Sequence, residues 1–91
     1  MEPIIVILTD VKSPYGFYTK FTIKGTGELI AEVDRRDGKY VLFGGPKNRF
    51  SEILRRSSKQ SAIQLAKDYI RGFIPDAIFK MNVMTERIRF V

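Results

Sequence analysis

Ten carboxylates are this chain's candidates for acid–base or metal chemistry: Glu2, Asp10, Glu28, Glu32, Asp34, Asp37, Glu52, Asp68, Asp76 and Glu86. Histidine and cysteine are both absent. That excludes imidazole acid–base catalysis, Ser-His-Asp triads, thiolate nucleophiles and zinc sites built from Cys or His. Carboxylate chemistry survives. Two-metal hydrolysis needs several carboxylates converging on one point, yet no pair here sits at a motif spacing. Asp10 with Asp34 is the pair that could converge as a small nuclease. Gly25-Thr26-Gly27 and Gly44-Gly45-Pro46-Lys47 lack the spacing of phosphate-binding loops and read as turns. The expectation is a protein that is not an enzyme, with no cofactor and no metal.

The chemistry left is that of charge. Lys and Arg number 16 against 10 Asp and Glu, a formal net charge of +6. Such a surplus favours phosphate backbones or acidic protein surfaces. Arg35-Arg36 falls at a predicted hairpin tip, and Lys47 and Arg49 fall in a glycine-proline loop. Arg55-Arg56 precedes a predicted helix, Lys59 opens it, and Gln60, Gln64, Lys67 and Arg71 share its polar face. Arg87 and Arg89 share one face of the last strand. Lys20 and Lys24 are matched across a hairpin by Glu32 and Glu28, so the unpaired excess lies in the turns and around the helix start. Arg35, Arg36, Arg55, Arg56, Lys59, Lys67 and Arg71 are the nucleic-acid-binding candidates, through phosphate contacts with little sequence specificity.

Those side chains need a scaffold of 91 residues, which makes one domain spanning 1–91. Ile4 to Val11 is a β-branched run and reads as a central strand. Phe17 to Lys24 alternates, with Phe17, Thr19, Phe21 and Ile23 on one face. Glu28 to Asp34 alternates again, so that Ile23 faces Leu29, Phe21 faces Ala31, and Lys20 meets Glu32. Asp37-Gly38 is a tight-turn signal, followed by a strand over Lys39 to Phe43. Phe50 to Arg56 fits a helical turn or a short strand equally. Ser57 with Gln60 matches a capping box, and Ala62, Ile63, Leu65, Ala66, Tyr69, Ile70, Phe73 and Ile74 recur at helical spacing until Pro75. Ile78 to Val83 and Arg87 to Val91 are strand candidates whose parity changes across Met84-Thr85-Glu86. The predicted class is α+β: a mostly antiparallel sheet of four to six strands with one main helix on one face, in the order β-β-β-β-α-β.

Strict alternation puts Tyr18, Ile30, Val41 and Phe43 on the face away from the helix. They are candidates for base stacking, or for an interface with a second copy or another partner. The rival to nucleic-acid binding is a virus- or mobile-element-encoded interaction or inhibitor module docking on an acidic protein surface. The short apolar run at Ile4 lacks a basic leader and a cleavage site, and no stretch reaches the roughly 20 apolar residues of a bilayer span. A cytoplasmic protein, in the host if viral, with no membrane partner is expected; DNA or RNA, a homodimer or an acidic protein are the expected partners.

Ser58-Lys59-Gln60-Ser61-Ala62-Ile63-Gln64-Leu65-Ala66 resembles the opening of the second helix of double-stranded-RNA-binding domains, which faces phosphates. The family's first helix is replaced here by a strand, and its lysine pair by Lys59 alone. The order of four strands then a helix also resembles the Whirly and Pur-type single-strand-binding folds. The first resemblance implies nucleic-acid phosphates as partner; the second is one of element order, which does not fix function.

Overall fold

In the computed structural model the β-branched N-terminal run forms strand β1 (Ile5–Ser13), around which the sheet is organised. The structure describes residues 2–14, 16–44 and 51–87, and of 51–53 the backbone only. An antiparallel meander runs outward from β1 through β2 (Gly16–Ile23), β3 (Leu29–Arg36), β4 (Lys39–Gly44) and β5 (Ser51–Arg56). Helix α1 (Lys59–Arg71) then carries the chain back across the sheet. β6 (Ile78–Met81) and β7 (Glu86–Arg87) both pair in parallel with the other edge of β1. The fold is therefore α+β with a single helix, as the periodicities predict. Its sheet is mixed and seven-stranded, in the order β5-β4-β3-β2-β1-β6 with β7 further along β1.

The two extra strands have identifiable causes. Residues 51–56, readable as helix or strand, pair with the otherwise open edge of β4, whose backbone groups need partners. The C-terminal segment is split by Asn82. Its N–H donates to the Leu8 carbonyl at 2.8 Å, its side-chain amide donates to Thr9 Oγ1 at 3.3 Å, and its Oδ1 accepts from the Met84 N–H at 3.0 Å. This local turn lifts the chain off β1 and returns it at Glu86.

The β2–β3 hairpin keeps the predicted pairs Phe21–Ala31 and Lys20–Glu32. Nearer its tip the register shifts between Phe21 and Thr22, so Thr22, not Ile23, faces Leu29. The Ile23 N–H instead donates to the Glu28 carbonyl. Ile30 is the extra residue of this bulge, and it joins the main core at 3% exposure instead of the far face. At the β3–β4 turn Asp37 and Gly38 have φ of 52° and 75°, the left-handed pair that two-residue hairpins require.

Cross-strand partners share a face, so the register sorts the sheet into two sides. Val6, Leu8, Phe21, Ala31, Val33 and Leu42 face α1 and pack on its buried stripe Ala62, Ala66 and Ile70. Alanine on both surfaces lets helix and sheet approach closely. Phe79 of β6 closes this core edge-on to Phe21, with ring centroids 6.4 Å apart. The helix N-cap is Ser58, one residue later than the predicted Ser57; its backbone is extended and its Oγ accepts from the Ser61 N–H at 3.1 Å. Among the described residues no helix is long and apolar enough to cross a membrane.

Candidate nucleic-acid interface

β1, β3 and β5 end at the same side of the sheet where β2 and β4 begin, and α1 starts there too. This end gathers Arg35, Arg36, Arg55, Arg56 and Lys59, five of the seven predicted binding residues, all exposed. Lys12, Lys39 and Arg87 join them from β1, β4 and β7. Segments up to 75 positions apart in sequence contribute, and only the strand directions bring them together.

On the helix side of this end the outermost residues form a row. Lys12 pairs with Phe17 across β1–β2. Phe17 lies one step beyond the Tyr18–Asp34 pair, beside Arg35. Arg35 pairs with Tyr40, and Tyr40 with Arg56. Cation and aromatic thus alternate over five neighbouring strands. The Lys12 ammonium sits 5.6 Å from the Phe17 ring centroid, and the Arg35 guanidinium 5.8 Å from that of Tyr40. Just inside the row, Phe17, Tyr18, Thr19, Val33, Arg35, Tyr40 and Lys59 line an open cavity of about 410 Å³. At its margin Thr19 Oγ1 donates to Asp10 Oδ1 at 2.7 Å, and Lys59 Nζ reaches the same oxygen at 3.5 Å.

The rim cations are not all unpaired, contrary to the expectation from sequence. Arg36 meets Asp34 at 3.3 Å, Arg55 meets Asp37 at 3.7 Å, and Lys59 meets Asp10. The cation of each pair is exposed, while Asp34 and Asp10 are partly buried. For the outermost pair, Arg55 with Asp37, the contribution is at most about 1 kcal/mol. Of the predicted hairpin pairs, Lys20 bonds Glu86 on β7 while its cross-strand neighbour is Glu32. Among the described residues no ion pair joins Lys24 to Glu28. Lys47, Arg49 and Arg89 lie outside the described residues.

Lys67 and Arg71 belong elsewhere. Both reach down from α1 to the Phe79 ring, at 5.7 and 4.9 Å, toward the opposite end of the sheet from Lys59. Their aliphatic stems cover the edge of the core, so they are not a continuation of the rim.

The far face of the sheet is of a different character. Ile30 and Val41, which alternation offers as stacking or interface residues, are 3% and 0% exposed and have no surface to present. The bulge accounts for Ile30; Val41 lies between Asp34 and Arg55 in the middle of the far side. Phe43 keeps a half-buried ring with the Arg36 guanidinium 5.2 Å from its centroid. Tyr18 stands among Glu32, Asp34 and Glu86; burial first and these charges next push its hydroxyl above the ordinary tyrosine range. Two of these carboxylates are paired with cations of the same face, Glu86 with Lys20 and Asp34 with Arg36. Asp34 projects to this side and Asp10 to the helix side, as their partners Tyr18 and Thr19 show. The pair singled out for nuclease chemistry therefore cannot converge. Among the described residues no three acidic side chains are grouped so as to hold a metal ion.

Glu32 carries a consequence for stability. Burial and the neighbouring Asp34 raise its carboxyl above the ordinary range, against the lowering effect of Lys20 and Arg36. A carboxyl raised in the folded state contributes no penalty below its unfolded pKa of about 4.3, and an increasing one as pH rises through the folded value. Glu32→Gln is thus expected to match the parent near pH 4 and to exceed it in stability at pH 7. Urea midpoints at the two pH values check this; an equal difference at both, or a less stable variant at pH 7, would refute it.

No family model, curated protein or solved structure matches this chain. The resemblance of residues 58–66 to the double-stranded-RNA-binding helix stays local, for here five strands precede a single helix and two short strands follow it.

Proposed function

We propose that this protein is a small non-enzymatic nucleic-acid-binding module that engages phosphates through the basic rim of its sheet. The observation that carries the reading is the convergence of Arg35, Arg36, Arg55, Arg56 and Lys59, from separate segments, onto the end where α1 begins. Their charge is held by turns and strand ends on a rigid sheet, which positions it without covering it. The chemistry supports attraction to a polyanion and gives no sign of base-edge readout.

Fluorescence anisotropy with labelled DNA and RNA, single- and double-stranded, at low and physiological salt tests the proposal. The expected result is binding that weakens steeply with salt, because each phosphate neutralised releases counterions. No binding at low salt, or binding insensitive to salt, would overturn it.

A second reading draws on a different surface. Met81, Val83 and Met84 around the β6–β7 turn are 55%, 95% and 71% exposed. An apolar protrusion of this kind suits docking on a protein partner or a second copy. Self-association through Ile30, Val41 and Phe43 is not a route to it, because the first two are interior.

A further inference from the structure

We infer that the nucleic acid taken by the rim is single-stranded, and that it lies across the β-strands along the row Lys12, Phe17, Arg35, Tyr40 and Arg56. This rests on the nucleic-acid reading above and adds which form is bound and which side chains select it.

The argument begins with spacing. Neighbouring strands are roughly 4.8 Å apart, so the row spans about 19 Å and its two rings stand about 10 Å apart. Bases within one strand of a duplex follow every 3.4 Å or so and are stacked on each other, so their faces are closed to a protein ring. A single strand presents those faces, and every base has one, which allows aromatic side chains to hold it without regard to sequence. Phe17 is 62% exposed, leaving a ring face open to solvent, and it lines the cavity. The cavity, about 410 Å³ with Thr19 and Val33 lining it between Phe17 and Tyr40, lies within the size range of small-ligand sites and accepts one unstacked base.

The alternation supplies the second half. Phosphates and bases alternate along a single strand as cations and rings alternate along the row. Lys12 and Arg35 already rest against the rings of Phe17 and Tyr40. Each is thereby within reach of the phosphate belonging to a base that takes the ring. Lys59, on the cavity wall, faces the same path from the start of α1. On the opposite face the Arg36 guanidinium rests on the Phe43 ring, but the neighbouring ring, Tyr18, stands among carboxylates.

The test uses the whole chain with a labelled oligothymidylate, whose bases stack weakly on each other, and a duplex of the same length. Phe17→Leu keeps the apolar surface and removes the π face at an exposed position, so the fold is retained, as circular dichroism can verify. The expected results are tighter binding of the single strand than of the duplex, and a loss of single-strand affinity in Phe17→Leu of roughly 5- to 100-fold. The salt dependence is expected to be unchanged, since no charge is removed. Tyr40→Phe, which keeps the ring, is expected to bind as the parent does. A duplex bound as tightly as the single strand, or a Phe17→Leu variant with parental single-strand affinity, would overturn this inference and leave the phosphate reading standing. Absence of binding to either probe at low salt would instead remove the phosphate reading beneath it.

Discussion

Phe21→Ala is expected to lower the unfolding free energy by about 3–5 kcal/mol, the range for emptying a fully buried aromatic position. Phe21 is 0% exposed and sits at the centre of the helix-facing core, paired with Leu8 on one side and Ala31 on the other. Its ring also supports Phe79, and Phe79 in turn is the seat of Lys67 and Arg71. The alanines at 31, 62 and 66 carry only a methyl group, which no side-chain rotation can move into the space, so refilling would need a backbone shift. A domain of this size is stable by only about 5–15 kcal/mol. The loss therefore takes much of the total, and the variant is expected to be largely unfolded at modest urea. Denaturant melts followed by circular dichroism measure it. A midpoint shift corresponding to less than about 1 kcal/mol would mean that the core is organised around other residues. Phe79→Ala is expected to cost less, because Phe79 closes only the outer edge. The double variant is expected to lose less than the sum of the two, since the rings touch each other.

The pattern of this core is largely open to reading from the sequence. Alternation in residues 17–24 and 28–34 identifies Phe21 and Ala31 as facing partners, and helical spacing picks out Ala62, Ala66 and Ile70. Local chemistry also locates the Asp37-Gly38 turn. Alternation fails where the count of residues changes. A single extra residue at Ile30 moves that side chain to the opposite side of the sheet, and nothing in the local sequence distinguishes it from a regular strand position. Residues 51–56 are ambiguous because their strand exists only by pairing with β4, a relation between distant segments. The binding site is legible in part for the same reason. The runs Arg35-Arg36 and Arg55-Arg56 are visible as runs, but their meeting with Lys59 depends on the directions of three strands and the helix. Alternation places Phe17 on the face of Phe21, which fixes its side of the sheet correctly, and Tyr40 follows through its pairing with Arg35. What the periodicity lacks is the point at which the helix stops covering that side: α1 begins at Lys59, and the outermost row lies beyond it. Helical spacing alone groups Lys67 and Arg71 with the others, and it does not register that β6 lies beneath them.

That separation leads to the largest effect expected on binding. Removing Arg35, Arg56 and Lys59 together, as Arg35→Gln, Arg56→Gln and Lys59→Gln, takes three charges from one end of the molecule. Glutamine at 59 keeps a donor near Asp10, so the Thr19–Asp10 bond is not left beside an unanswered carboxylate. Each phosphate that the protein ceases to neutralise lowers the slope of log affinity against log salt by about 0.7 on a single strand or 0.9 on a duplex. The triple variant is thus expected to lose about two units of slope and, at low salt, on the order of a hundredfold or more in affinity, because a hydrogen bond to a charged group contributes about 1.5–3 kcal/mol. The matched control is Lys67→Gln with Arg71→Gln, which removes two charges from the other end. Its slope is expected to change by well under one unit, while its stability falls, since both side chains cover Phe79. Anisotropy titrations over a salt series, with urea melts of the same proteins, separate the two effects. If the control lost as much slope per charge removed as the triple variant, attraction would come from net charge spread over the whole molecule, and the rim would have no special part in it. If neither changed, these five charges would have no part in binding, and the remaining rim cations and the exposed Met81, Val83 and Met84 would become the residues to test next.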